Sequence, residues 1–219
     1  MRLLGRTTDA ANLAGISCNL AGMNINEMRS KEPRFWQRLL RVAGYYKAPI
    51  DGIRGVRQEA AEFAWERASL AIAQECGRYD ERSESNIATL IPPAQRMARE
   101  WLGRATAKAA ENGVSVRIIC GTRSYGEQDA LYKKRPKVTN AKGGQSWHNF
   151  GMAFDFGVFS ADGKQYFGES PMYDVLGALA RDIKDAEWGG DWKNFKDTPH
   201  VQLCKYASIK EAREDFERS

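Results

Sequence analysis

Apolar positions in the first 78 residues recur at helical spacing. In "EPRFWQRLLRVAGYY", Phe35, Trp36, Leu39 and Leu40 share one face of a helix. "APIDGIRG" then breaks the pattern as a turn, with Gly52 and Gly55 as breakers. The helical period resumes in "VRQEAAEFAWERASLAIAQEC" through Ala60, Phe63, Ala64 and Ala68. "GRYDERSES" is polar and turn-rich, and a domain boundary is expected there, giving a helical unit over 1–78 and a second unit over 79–219.

The second unit alternates helical and strand patterns. Met97, Ala98, Trp101, Leu102, Ala105 and Ala109 fall at helical spacing in a stretch that starts with proline and ends at Asn112-Gly113. "VSVRIIC" follows as a strand. Ser124 and Glu127 stand at capping-box spacing, which predicts a helix start. "RPKVTNAKGGQS" is a polar loop of the kind that carries function. "GMAFDFGVF" is the next strand, and Ser170-Pro171 opens a further helix. "EWGGDW" is a tight turn, "PHVQLC" a last strand and "SIKEAREDFER" a final capped helix. The expected class is an α+β domain, an antiparallel sheet with flanking helices, preceded by a small all-α domain.

Composition narrows the possibilities. With 42% hydrophobic residues, the chain can build a packed core, and no stretch reads as disordered. No segment approaches membrane-spanning length, and the first residues lack the apolar core of a signal peptide. The expectation is a soluble monomer made in the cytoplasm. Cys18, Cys76, Cys120 and Cys204 form no C-x-x-C pair and are read as buried, reduced thiols. A net charge of +5 favours an anionic partner: nucleic acid, a membrane surface or an anionic cell wall. No basic-aromatic stripe supports nucleic acid.

The chain has two histidines, His148 and His200, each beside a strand-like run. Seven residues after His148, Asp155 interrupts an otherwise apolar strand. Alternation puts Ala153 and Asp155 on one face and Met152, Phe154 and Phe156 on the other. A carboxylate in such a strand needs a cation, since desolvating it unpaired costs several kcal/mol. An Arg or Lys is one solution. A metal held by His148, Asp155 and His200, with water in a fourth position, is another. The residues alone leave both open.

The ordered motifs decide between them. "S-x-H-x-x-G-x-A-x-D", later "W-G-G-D-W" and "D-x-P-H-x-Q", resemble the zinc peptidases of the D-alanyl-D-alanine carboxypeptidase and L-alanyl-D-glutamate endopeptidase family, cell-wall enzymes of bacteria and their phages that share a fold with hedgehog domains. The resemblance runs from about residue 80 to 205. It implies Zn2+ as cofactor, with His148, Asp155 and His200 as ligands. It implies Asp197, three residues before the last histidine, as catalytic base, where many relatives carry Glu. Arg123 of "G-x-R-S" is implied to hold a substrate carboxylate or stabilise developing charge, a task its planar fork suits. Gln128 and Ser146 match polar positions lining the family's cleft. Glu187 and Asp191 are rival acids, and Asp191 is expected to fix its turn.

The helical half, through Gly44, Tyr45, Tyr46, Ile50, Asp51, Gly52 and Gly55, resembles a three-helix peptidoglycan-binding domain, departing from it at Val56-Arg57-Gln58. The expected function is that of a phage or prophage endolysin, a zinc peptidase cutting the L-Ala-D-Glu bond of the peptidoglycan stem and reaching the wall after release. The alternatives are a D-alanyl-D-alanine carboxypeptidase and a non-catalytic, zinc-containing wall-binding protein.

Overall fold

The computed structural model describes residues 23–135 and 138–218. Cys18 and the first residues, on which the signal-peptide reading falls, therefore lie outside the described residues. Among the described residues, eight α-helices and five strands follow in the order α1 (Ile25–Lys31), α2 (Pro33–Val42), α3 (Val56–Cys76), α4 (Glu81–Ala88), α5 (Pro92–Glu111), β1 (Val114–Cys120), α6 (Tyr125–Lys133), β2 (Ala153–Ser160), β3 (Tyr166–Phe167), α7 (Met172–Gly177), β4 (Ala186–Trp188), β5 (His200–Leu203) and α8 (Ile209–Glu217). The class is α+β. Among the described residues no helix is long and apolar enough to cross a membrane.

The sheet is antiparallel throughout, in the order β1-β2-β5-β4, with β3 on the free part of β2. β2 is its central strand and is buried over all but its last residue. Helix α5 covers it. Trp101 tilts against Phe154 and Phe156, with ring centroids 5.2 and 4.6 Å away, and its indole N–H donates to the Leu176 carbonyl at 3.0 Å. Burying aromatics of this size supplies much of the energy holding α5 to the sheet.

One apolar cluster runs from Met28, Phe35, Trp36 and Leu39 in the first helices through Trp101 and Phe154 to Phe216 in α8. Phe35 packs at 5.3 Å from Phe216 and 6.4 Å from Tyr125, so the helical half shares its core with the sheet half.

Three local expectations differ from the structure. Phe63, expected on the buried face of α3, is 61% exposed, while Ala61, Trp65 and Ile72 are buried. In an alanine-rich helix the apolar pattern is nearly symmetric, and Trp65 settles the matter by packing at 5.0 Å from Trp36. "GRYDERSES" is largely helix α4, whose Asp80 caps it by accepting from the Ser83 N–H. Ser83 is itself buried and its hydroxyl accepts from the Ile118 N–H at 3.0 Å, tying α4 to β1. Cys204 is exposed and Cys76 half-buried, while Cys120 is buried as expected, and all three are free thiols.

Candidate metal and catalytic site

The sheet register assembles the site. Asp155 pairs with Cys120 across β1–β2 and with His200 across β2–β5, so three chemically active residues form one row. An irregularity in the β1–β2 pairing between Ile118 and Cys120 brings Cys120 opposite Asp155. His148 joins from a single 3-10 turn, Trp147–Phe150, that ends at Gly151 in the left-handed conformation (φ 67°) just before β2. The loop leaving β1 lies hard against the end of α4: a Cβ on Gly121 would sit 2.5 Å from the Asn86 carbonyl oxygen. That closeness presents the Gly121 carbonyl to His148.

His148 Nδ1 lies 2.7 Å from that carbonyl, which can only accept, so Nδ1 carries the proton and Nε2 presents its lone pair. His148 Nε2, Asp155 Oδ1 and His200 Nδ1 form a nearly equilateral triangle, with edges of 3.1, 3.2 and 3.2 Å. A tetrahedral zinc with bonds of about 2.0–2.1 Å would place its ligands about 3.3 Å apart, so the triangle fits the ion in size, and two imidazoles with a carboxylate fit it in kind. Were all three atoms to present lone pairs, they would repel unless a cation lay among them. The triangle also favours a proton: the His200 pKa is raised, because Asp155, Asp197 and Gln202 outweigh the burial that opposes charge. The His148 imidazole is pushed down to about 4 by burial and by the Arg123 charge, so it is neutral.

Cys120 offers a second combination, its ligand atom lying within 4.8 Å of those of His148 and Asp155. Burial pushes that thiol up to about 11, and its sulfur accepts from Arg123 Nε at 3.2 Å, which turns it toward the guanidinium.

Arg123 is almost buried. It pairs with Asp155 Oδ2 at 2.6 Å and donates to Gln128 Oε1 at 3.1 Å. Burial alone would raise the Asp155 pKa, but His148, Arg123 and His200 hold it well below the ordinary carboxylate range. Of the five guanidinium N–H donors, three have these protein partners and two are left. Gln128 is fully buried, and its amide N–H groups go to Ala141 O (3.0 Å) and Thr139 Oγ1 (3.4 Å), pinning the long loop. It reaches the site through Arg123. Ser146 is half-buried at the start of the His148 turn, its N–H donating to Asn149 Oδ1 at 3.3 Å.

Asp197 lies in the turn before β5. Its N–H donates to Gly189 O at 3.1 Å and its carbonyl accepts from the His200 N–H at 3.1 Å. Burial, with the Asp155 charge adding, pushes its carboxyl above the ordinary carboxylate range, although His200 and Arg123 pull the other way. Asp191 forms an exposed two-pronged pair with Arg181 at 2.5 and 2.9 Å. Glu187 accepts from the Trp192 indole N–H and from Gln202 Nε2 (3.1 Å). Trp188 is buried, with its indole N–H on the Thr198 carbonyl at 2.8 Å, and Trp192 lies 5.2 Å from the His200 ring. Gln202 was not among the expected site residues. The signal for it was its place two residues after His200, on the same face of β5.

Residues 139–203 match the family described as D-alanyl-D-alanine carboxypeptidase. The chain is also 42% identical over 111 residues to the peptidoglycan L-alanyl-D-glutamate endopeptidase CwlK of Bacillus subtilis, an alignment covering 44% of this chain and 65% of that protein. It thus spans just under two thirds of that relative's length. The matched segment holds His148, Asp155, Asp197 and His200, and over residues 139–203 the chain is similar to that peptidase family.

Proposed function

We propose that the protein is a zinc-dependent peptidoglycan peptidase that cuts the L-Ala-D-Glu bond of the stem peptide. The observation that carries this reading is the triangle of His148 Nε2, Asp155 Oδ1 and His200 Nδ1, whose size and donor types suit zinc. His200 rather than Cys120 is the third ligand in this reading, because His200 Nδ1 lies 3.2 Å from both other ligand atoms while the Cys120 sulfur is turned to Arg123 Nε. A zinc ion there would lower the pKa of a bound water towards neutrality and polarise the scissile carbonyl.

The chain's own groups do the rest. Asp197, with its pKa raised towards the working range, takes the proton of the attacking water and delivers it to the leaving amine. Arg123 holds Asp155 in place and turns its two remaining N–H groups to a substrate carboxylate or to the oxygen on which charge develops. Ser146 contacts the substrate beside His148, and Gln128 acts by steadying Arg123 and the loop. The helical half is the wall-contacting module, in keeping with its resemblance to peptidoglycan-binding domains.

The internal cut is favoured because the curated relative is named for it, while the family description names the terminal one. The test is mass spectrometry of purified wall digested with the zinc-loaded protein. New D-glutamate amino groups and peptides lacking the first alanine are expected. Free D-alanine as the main product would make the protein a carboxypeptidase, and no released product would leave a wall-binding module.

A further inference from the structure

The strand next to the site carries a chain of hydrogen bonds whose direction is set at its far end. Glu187 pairs with Gln202 across β4–β5, and Gln202 stands two residues from His200 on β5. The Glu187 carboxylate can only accept. One oxygen takes the Trp192 indole N–H, and the other takes Gln202 Nε2 at 3.1 Å and the Cys204 thiol at 3.4 Å. The Gln202 amide must therefore turn its NH2 to Glu187 and its oxygen to His200. That oxygen lies 2.9 Å from His200 Nε2 and can be satisfied only by a proton there. A neutral His200 so fixed has its lone pair on Nδ1, the atom that faces His148 Nε2 and Asp155 Oδ1. The other imidazole gets the same service from a backbone carbonyl, Gly121 O. A carbonyl cannot reverse its polarity, whereas an amide can, so His200 needs the anion behind the amide.

We propose that Glu187 and Gln202 are positioning residues, which together lock His200 in the Nε2–H tautomer and aim Nδ1 at the metal. The proposal rests on the zinc reading above for its purpose, but not for its geometry. Outer partners of this kind typically contribute about 10- to 100-fold in metal affinity.

Two variants test it. Glu187→Gln keeps the size of the side chain but gives it an NH2 that can face Gln202 and flip its amide, placing donors against His200 Nε2. Gln202→Leu removes the bridge. Imidazole nitrogen NMR of the zinc-free protein, recorded at a pH high enough to keep His200 neutral, reads the tautomer, and competition with a chromophoric chelator reads the zinc affinity. Wild type should show the proton on Nε2 of His200. Both variants should lose that signature and bind zinc about 10- to 100-fold more weakly, with the zinc-free fold retained by circular dichroism. Asp191→Asn removes a neighbouring acid that is paired with Arg181, and it should change neither readout. Either readout staying at its wild-type value in Glu187→Gln overturns the proposal, as does an equal loss in Asp191→Asn. If wild type binds no zinc, the zinc reading fails, and the tautomer in the zinc-free variants still decides whether the relay exists.

Discussion

Two of the buried polar groups among the described residues are built on opposite principles. In the helical half, Gln37, Gln58 and Glu62 are all but inaccessible to solvent. Their donors and acceptors match. Trp36 Nε1 and Gln58 Nε2 each donate to Glu62 Oε1 at 2.9 Å, Gln37 Nε2 donates to Gln58 Oε1 at 3.0 Å, and Arg54 reaches Glu62 Oε2 at 2.8 Å. In the sheet half, His148 Nε2, Asp155 Oδ1 and His200 Nδ1 face one another at 3.1 to 3.2 Å, and with His200 neutral and protonated at Nε2 they are three acceptors that only a cation would satisfy. A complete network stabilises the fold, whereas an incomplete one reserves a place. Burial and polarity alone do not separate the two. The sign of the facing atoms does.

The largest effects that could break this contrast are at the ligands. His148→Ala and His200→Ala should abolish zinc binding and wall cleavage. In thermal melts, zinc at about one hundred times Kd should stabilise wild type by about 2.7 kcal/mol and leave these variants unmoved. Full zinc occupancy in the double variant would remove the metal site from the comparison. Next is Asp197→Asn, which should keep zinc and the melting temperature but lose about 100- to 10,000-fold in turnover on soluble wall fragments. An active Asp197→Asn beside an inactive Asp191→Asn would show that the wrong acid had been chosen.

The helical group should respond in the opposite way. Glu62→Ala leaves the buried Trp36 and Gln58 donors unsatisfied and should cost about 1–3 kcal/mol, read as a lower melting temperature, with the zinc-dependent shift intact. The smallest effect is on acid stability. Burial pushes the Glu62 pKa up, but Arg54, Gln58 and Trp36 outweigh it and hold the carboxyl below its ordinary 4.5. A carboxyl depressed by folding stabilises the protein fully above its unfolded value, and that contribution is lost as pH falls through the folded one. Stability should therefore decline below about pH 4.5, and Glu62→Gln should flatten the decline in denaturant titrations at stepped pH.

Much of the site was legible because its chemistry is rare in this sequence. With two histidines and one acid inside an apolar strand, the ligand set had few competitors. The strand register that joins them, Asp155 opposite His200, is a long-range pairing that periodicity does not encode. Glu187 looked like a rival base for the same reason. Only the β4–β5 pairing reveals that it faces Gln202. The α3 error has another origin. Local pattern cannot choose between Phe63 and Trp65 as the inward residue, since the choice depends on Trp36, which arrives from another helix. The boundary expected near residue 79 marks a change of pattern. In space, Phe35 of α2 and Phe216 of α8 pack together in a common core.

Gly189 limits how far the turn that carries Asp197 can move. A Cβ there would fall 2.4 Å from the Asp197 carbonyl oxygen and 3.1 Å from its Cβ. Even alanine, the least intrusive replacement, would have to push that turn outward, and His200 would be pushed with it, its Cβ being 3.2 Å away. Asp197 and His200 thus share one clearance of a single methyl group. The Lys193–Lys196 stretch nearby is exposed, whereas any side chain at position 189 would displace Asp197 and His200 together.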